Sequence, residues 1–129
     1  MPQTRIIFYQ DEIGKAPVVE WLRTLRRTDH LAYAKCVARI RRLSAAGHEL
    51  RRPEADFLRD GIYELRAKKG RVQYRILYFF HGQNIAVLDH ALMKEGKVPD
   101  VDIERAIRRK KTFERDPARH TYEEDINDG

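Results

Sequence analysis

The order of patterns along this chain predicts an α+β fold: an N-terminal strand, a helical hairpin, a three-stranded antiparallel meander and a C-terminal helix, in a single domain over residues 1–115. Three observations carry that expectation. Residues 62–92 form runs rich in Ile, Val, Leu, Tyr and Phe, divided by the turns Ala67-Lys68-Lys69-Gly70 and His81-Gly82-Gln83-Asn84. Glycine supplies the positive φ that tight hairpins need, and β-branched and aromatic side chains suit a pleated surface. Residues 18–46 instead repeat their apolar side chains at helical spacing. Finally, 129 residues with 42% hydrophobic content suffice for one core and are too few for two comfortable ones.

Arg5 to Tyr9 reads as a short strand, ended by the polar Gln10-Asp11-Glu12 and the Gly14 break. Pro17 suits a first helical position, where no N–H is needed, and Val18, Trp21, Leu22 and Leu25 follow at i, i+3, i+4 and i+7 as one apolar stripe. Thr28-Asp29 marks a turn and the next N-cap, because a short side-chain oxygen there accepts from the free amides of a helix start. The second helix runs to Ala46, with Gly47 as its C-cap. Tyr33, Val37 and Ile40 form its inner side, and Lys35, Arg39, Arg41 and Arg42 its outer side.

Leu50 to Asp60 reads as a polar connection broken by Pro53. In the central strand of the meander, alternation places Val72, Tyr74, Ile76, Tyr78 and Phe80 on one face and Gln73, Arg75, Leu77 and Phe79 on the other. The first strand can join this sheet beside one of the three. Pro99 opens the last helix, with Asp100, Asp102 and Glu104 early and Arg108, Arg109, Lys110 and Lys111 late, as the helix dipole favours. Residues 116–129 hold five acids and one Arg with few apolar side chains, and a mobile tail is expected there.

The net charge of +6 calls for an acidic partner, nucleic acid first. Between Arg23 and Arg52 stand nine basic and two acidic residues, which make either a solvated face or a surface for phosphates or an acidic protein. No stretch of 18 apolar residues and no basic helix with a continuous Trp/Phe/Leu face points to a membrane. The N-terminus has no apolar signal region, so a cytoplasmic location is expected. The lone Cys36 excludes an internal disulfide and lacks the electropositive setting of a nucleophile. The five histidines have no ligand spacing and no phosphate-cradling glycine motif occurs, so neither metal nor cofactor is expected.

Arg66, Lys68, Lys69, Arg71 and Arg75 crowd the first hairpin, where Glu64 is the only acid. Arg75 sits mid-strand on a partly apolar face, a costly place for a guanidinium without an anion or a buried acid beside it. A metal-free reaction on RNA has a use for such groups. The ribose 2′-hydroxyl attacks the neighbouring phosphate, and the protein supplies cations to offset charge on the five-coordinate phosphate and groups to move two protons. The planar fork of Arg meets phosphate oxygens bidentately. Arg66, Arg75, Lys94 and Lys97 are the available cations if the strand ends converge, His90 is the candidate proton carrier, and Lys68, Lys69 and Arg71 join Lys97 as RNA-binding candidates.

The stretches Leu58-Arg59-Asp60-Gly61-Ile62-Tyr63-Glu64-Leu65-Arg66, Arg71-Val72-Gln73-Tyr74-Arg75-Ile76-Leu77-Tyr78, His90-Ala91-Leu92-Met93-Lys94 and Ile103-Glu104-Arg105-Ala106 resemble the phage-derived branch of the HigB/RelE toxin family, over roughly residues 4 to 113. The resemblance implies a RelE/ParE-like fold. It also implies the toxin of a type II toxin–antitoxin module, an endoribonuclease that cleaves mRNA on the ribosome without a metal. The partner it implies is a cognate antitoxin, expected to be of helix-turn-helix type. By the same resemblance Arg66 and Arg75 hold the scissile phosphate and Lys94 is the lysine after the last strand. Where the family often has a second lysine and a Thr before the helix-opening Pro, this chain has Glu95 and Val98. Two other readings share the fold: a non-catalytic, ParE-like inhibitor of DNA gyrase, and an inactive relative that only binds its antitoxin.

Overall fold

The computed structural model describes residues 3–93 and 95–126. Its elements are β1 (Arg5–Tyr9), α1 (Pro17–Thr28), α2 (His30–Ala46), a 3-10 turn (Gly47–Glu49), β2 (Ala55–Arg59), β3 (Ile62–Lys69), β4 (Val72–His81), β5 (Ile85–Met93), α3 (Asp100–Arg115) and β6 (Thr121–Tyr122). The α+β class and the helical hairpin agree with the sequence reading, but the sheet is larger than a three-stranded meander. Its six strands run in the order β2-β3-β4-β5-β1-β6. β1 lies parallel to β5, and the remaining pairs are antiparallel.

The helix boundaries follow local chemistry. Pro17 opens α1, and the Asp29 side chain caps α2 by accepting from the Ala32 amide at 3.1 Å. Gly47 ends α2 with φ at 55°, and a Cβ there would collide with Thr4 Oγ1. On one side of the sheet Val18, Leu22, Val37 and Ile40 of the hairpin pack on Leu65, Ile76, Tyr78 and Leu88. On the other, Ile103, Ala106 and Phe113 of α3 pack on Ile7, Ile62, Leu77, Phe79 and Val87. The central strand therefore alternates as the sequence implies, with Tyr74, Ile76 and Tyr78 toward the hairpin and Leu77 and Phe79 toward α3.

Three features depart from the sequence reading. The connection before the meander contains β2, which pairs with β3 through Ala55↔Leu65, Asp56↔Glu64 and Phe57↔Tyr63. It is an edge strand, and an edge tolerates the charges that hid it. Between Tyr78↔Leu88 and Leu77↔His90 a β-bulge leaves Asp89 unpaired and reverses the alternation of β5, so that Leu92 joins the α3 side. Beyond α3, the sequence reading anticipates no strand, and the chain there adds a sixth strand, with Ile126 packed against the core on the helical-hairpin side. His120 is buried, its ring stacked on Tyr9 at 5.5 Å, and β6 pairs with β1 through Phe8↔Tyr122 and Tyr9↔Thr121. Glu123 and Glu124 meet Arg5 and Arg23, each at 2.5 Å. No helix among the described residues is long and apolar enough to cross a membrane.

Candidate functional site

The two-residue connection Gly70-Arg71 between β3 and β4 fixes a register in which Arg66 lies directly opposite Arg75, Glu64 opposite Leu77 and Lys68 opposite Gln73. Period-two geometry turns Glu64, Arg66, Lys68, Gln73 and Arg75 to the α3 side. The start of α3 and the loop before it leave this end of the sheet open, as a cleft of about 880 Å³. Arg52, Asp56 and Arg59 line it from the β2 side, Arg71 from the hairpin turn, and Glu95, Gly96, Lys97 and Val98 from the loop. Among the described residues, seven cationic side chains line the cleft against four acids.

Two guanidiniums at opposed positions repel each other, and Glu64 answers both. Its Oε1 lies 3.3 Å from Arg75 Nε and 3.9 Å from Arg66 Nε. Arg75 and Glu64 are each only 6% exposed, which makes this a buried ion pair with Arg66 at its open edge. Arg75 Nη1 donates to the Gly96 carbonyl, tying the strand to the loop. Glu64 Oε1 and Arg75 Nε are nevertheless buried without a hydrogen bond. Burial pushes the Glu64 carboxyl above its usual range, with Arg75 and then Arg66 acting against the rise. Chemically, the cleft offers an anion two arginine forks on a rigid hairpin with a buried carboxylate between them.

Of the residues singled out from sequence, Arg66, Arg75, Lys68, Arg71 and Lys97 come together in this cleft. Lys68, Arg71 and Lys97 are exposed and have no ion-pair partner among the described residues. Lys94 lies outside the described residues. Lys69 does not belong to the cleft: its Nζ is 2.7 Å from Asp29 Oδ2, on the hairpin side of the sheet.

His90 does not belong to it either. It is 5% exposed, with Nδ1 2.5 Å from Asp89 Oδ2 and Nε2 3.1 Å from Asp102 Oδ1, and Arg109 stands 3.6 Å from the same Asp89 oxygen. His90 and Arg109 line a separate cavity with Trp21 and Arg105, and the cluster joins β5 to α3. Burial pushes the Cys36 thiol up to about 12, which leaves it without nucleophilic character. Sequence reading missed Arg52, Arg59 and Gln73 as parts of the cleft wall. The signal for the first two was strand β2 itself, since a strand beside β3 brings its flanking charges to the same face. Among the described residues no group of three or more His, Cys, Asp or Glu side chains is set to hold a metal ion.

Fold and cleft together define a small α+β protein with two opposed arginines at the open end of its sheet. The family model described as phage derived protein Gp49-like (DUF891) matches residues 20–111, which include the hairpin and most of α3. The chain belongs to this Gp49-like family, a family of the RelE/HigB-like toxin type. No curated protein matches the chain.

Proposed function

We propose that this protein is the toxin of a type II toxin–antitoxin module and acts as a metal-independent, ribosome-dependent mRNA endoribonuclease of the HigB-like branch. The observation that carries the reading is the buried Arg75 directly opposite Arg66 in an open, cation-lined cleft. Stability alone gives no reason to oppose two guanidiniums, whereas the charge on a five-coordinate phosphate does. Arg66 and Arg75 hold the scissile phosphate while the 2′-hydroxyl attacks, and Lys68, Arg71 and Lys97 follow the flanking phosphates along the rim. Inhibition of gyrase without catalysis gives no role to that opposition. The antitoxin is expected to mask basic surface with an acidic or extended segment.

Induced expression with mapping of RNA 5′ ends tests this. New ends clustered in frame at codons are expected from the wild type and are expected to be absent with Arg66→Ala, whose side chain is only half-buried and whose loss spares the core. Growth arrest with no new RNA ends would refute the nuclease reading.

A further inference from the structure

The cleavage reading requires a proton acceptor for the attacking hydroxyl, and the structure withdraws the histidine that sequence reading offered. His90 is committed to Asp89 and Asp102. Tyr63, Tyr74 and Tyr78 pack on the hairpin side of the sheet. Four carboxylates remain in the cleft wall. Asp56 is clamped by Arg52 through Nε at 2.9 Å and Nη2 at 2.6 Å. Asp100 has a side chain 80% exposed and stands at the outer margin beside Arg59. Glu95 is exposed on the loop. Only Glu64 is buried, with its Oε1 free of any hydrogen bond and within 4 Å of both arginines.

We infer that Glu64 is a catalytic residue, the base that takes the proton from the 2′-hydroxyl of the bound RNA; this rests on the cleavage reading above. The Nε edges of Arg66 and Arg75 face Glu64, and Arg75 Nη1 is committed to Gly96, so the remaining Nη groups are the ones left to meet phosphate oxygens. A phosphate held there brings its 2′-hydroxyl neighbour to the carboxylate. In the step, the O2′–H bond breaks and its proton passes to Glu64 Oε1 as the O2′–P bond forms. The P–O5′ bond breaks, its electron pair stays on O5′, and O5′ takes a proton from solvent. The products are a 2′,3′-cyclic phosphate and a 5′-hydroxyl, and Glu64 then loses its proton to water. Burial makes the carboxylate a stronger base, and the two arginines act against that rise by favouring the ionised form that accepts the proton.

The test compares wild type, Glu64→Gln and Glu64→Asp in single-turnover cleavage of mRNA on programmed ribosomes across pH, with binding measured on ribosomes programmed with 2′-O-methyl mRNA. Glu64→Gln keeps the shape and removes the base; its cleavage rate is expected to fall by about 10²-fold or more, with binding unchanged or tighter. Glu64→Asp is expected to retain part of the rate. The wild-type rate is expected to fall as pH drops through the Glu64 titration, and the residual Glu64→Gln rate to be flat over that range. A Glu64→Gln rate within about threefold of wild type, or the same acid limb in both proteins, would overturn the assignment. A wild-type profile with no acid limb would overturn it even if Glu64→Gln failed to fold. Equal losses in binding and cleavage with the acid limb intact would make Glu64 a positioning residue for Arg75 and also overturn it. Failure of the wild type to cleave would remove the nuclease reading itself, and this inference with it.

Discussion

Truncating Arg75 strands the Glu64 carboxylate inside the protein, and the resulting instability is expected to be relieved by neutralising Glu64 in the same chain. Both residues are 6% exposed and their charged atoms approach to 3.3 Å. Removing one partner of a buried pair costs roughly 3–5 kcal/mol, because the other charge is left without compensation. Arg66 remains 3.9 Å from the same oxygen, with a side chain 28% exposed, so the lower end applies, about 3 kcal/mol. In Arg75→Ala/Glu64→Gln no charge is stranded, and the residual loss is packing of the arginine stem, about 1–2 kcal/mol.

Glu64→Gln alone leaves the buried Arg75 with a neutral carbonyl in place of its anion and costs about 1–2 kcal/mol, so the cycle carries a coupling of roughly 3 kcal/mol, within the range for residues in contact. At a urea slope of about 2 kcal/mol per molar, Arg75→Ala lowers the unfolding midpoint by about 1.5 M and the double variant by about half as much. Fluorescence of the single Trp21, checked against circular dichroism, reads the midpoints. Effects that add to within about 0.5 kcal/mol would refute the buried pair. The same arithmetic makes Arg66→Ala the cleaner activity variant, since inactivity of Arg75→Ala mixes lost chemistry with lost fold.

The two faces of the sheet make a matched contrast: Lys68→Ala is expected to weaken binding of single-stranded RNA and to reduce the slope of log K against log salt by about 0.7, while Lys69→Ala, which loses Asp29 instead, leaves the slope unchanged in the same titration. Phe113 is 1% exposed and meets Phe79 edge-on at 5.7 Å, so Phe113→Ala is expected to cost about 3–5 kcal/mol in urea unfolding; a loss under about 1 kcal/mol would contradict the packing of α3. Two carboxylates are expected to shape the pH dependence of stability with opposite signs. Arg42 holds the Glu54 carboxyl below its ordinary 4.5, so that contribution is present above 4.5 and is lost as pH falls through the depressed value. Burial holds Glu64 above its ordinary 4.5, so its contribution is full below 4.5 and is lost as pH rises through the raised value. Thermal or urea unfolding of Glu54→Gln and Glu64→Gln across pH checks both, and a difference from wild type that stays constant with pH would count against either shift.

Much of the site was legible because it is local. Pro17, Asp29 and Gly47 mark the helix ends through the backbone chemistry of their own positions. The short turn at Gly70 ties Arg66 to Arg75 without help from the rest of the fold. What was not legible depends on distant neighbours. β2 becomes a strand only because β3 lies beside it, and its own residues, Ala55 to Arg59, carry too many charges to announce one. The bulge at Asp89 leaves no mark in the periodicity of β5, yet it sets His90 between Asp89 and Asp102 of α3. A histidine late in a strand therefore looked available when it was already engaged. Tyr122 and the acids around it read as solvated until Arg5, Arg23 and β1 are placed beside them.

Under the proposed function, the pairing of charges across the molecule favours the cleft over the basic helical hairpin as the place for an anion. Arg39 and Arg42 close on Glu54, Arg52 on Asp56, Arg23 on Glu124 and Lys69 on Asp29, so much of the positive run noted in the sequence is answered within the chain. Exposed pairs of this kind add little stability, but each removes a cation from competition for a polyanion. The excess of +6 is then felt most where exposed Lys68, Arg71 and Lys97 surround Arg66 and Arg75 with a single buried acid between the strands. A phosphate backbone entering there would meet Lys68, Arg71 and Lys97, which have no acid partner among the described residues, and would meet them on a hairpin whose register holds Arg66 and Arg75 in place around Glu64. Preorganisation of that kind is what lets charge stabilisation act on a transition state instead of on the resting protein.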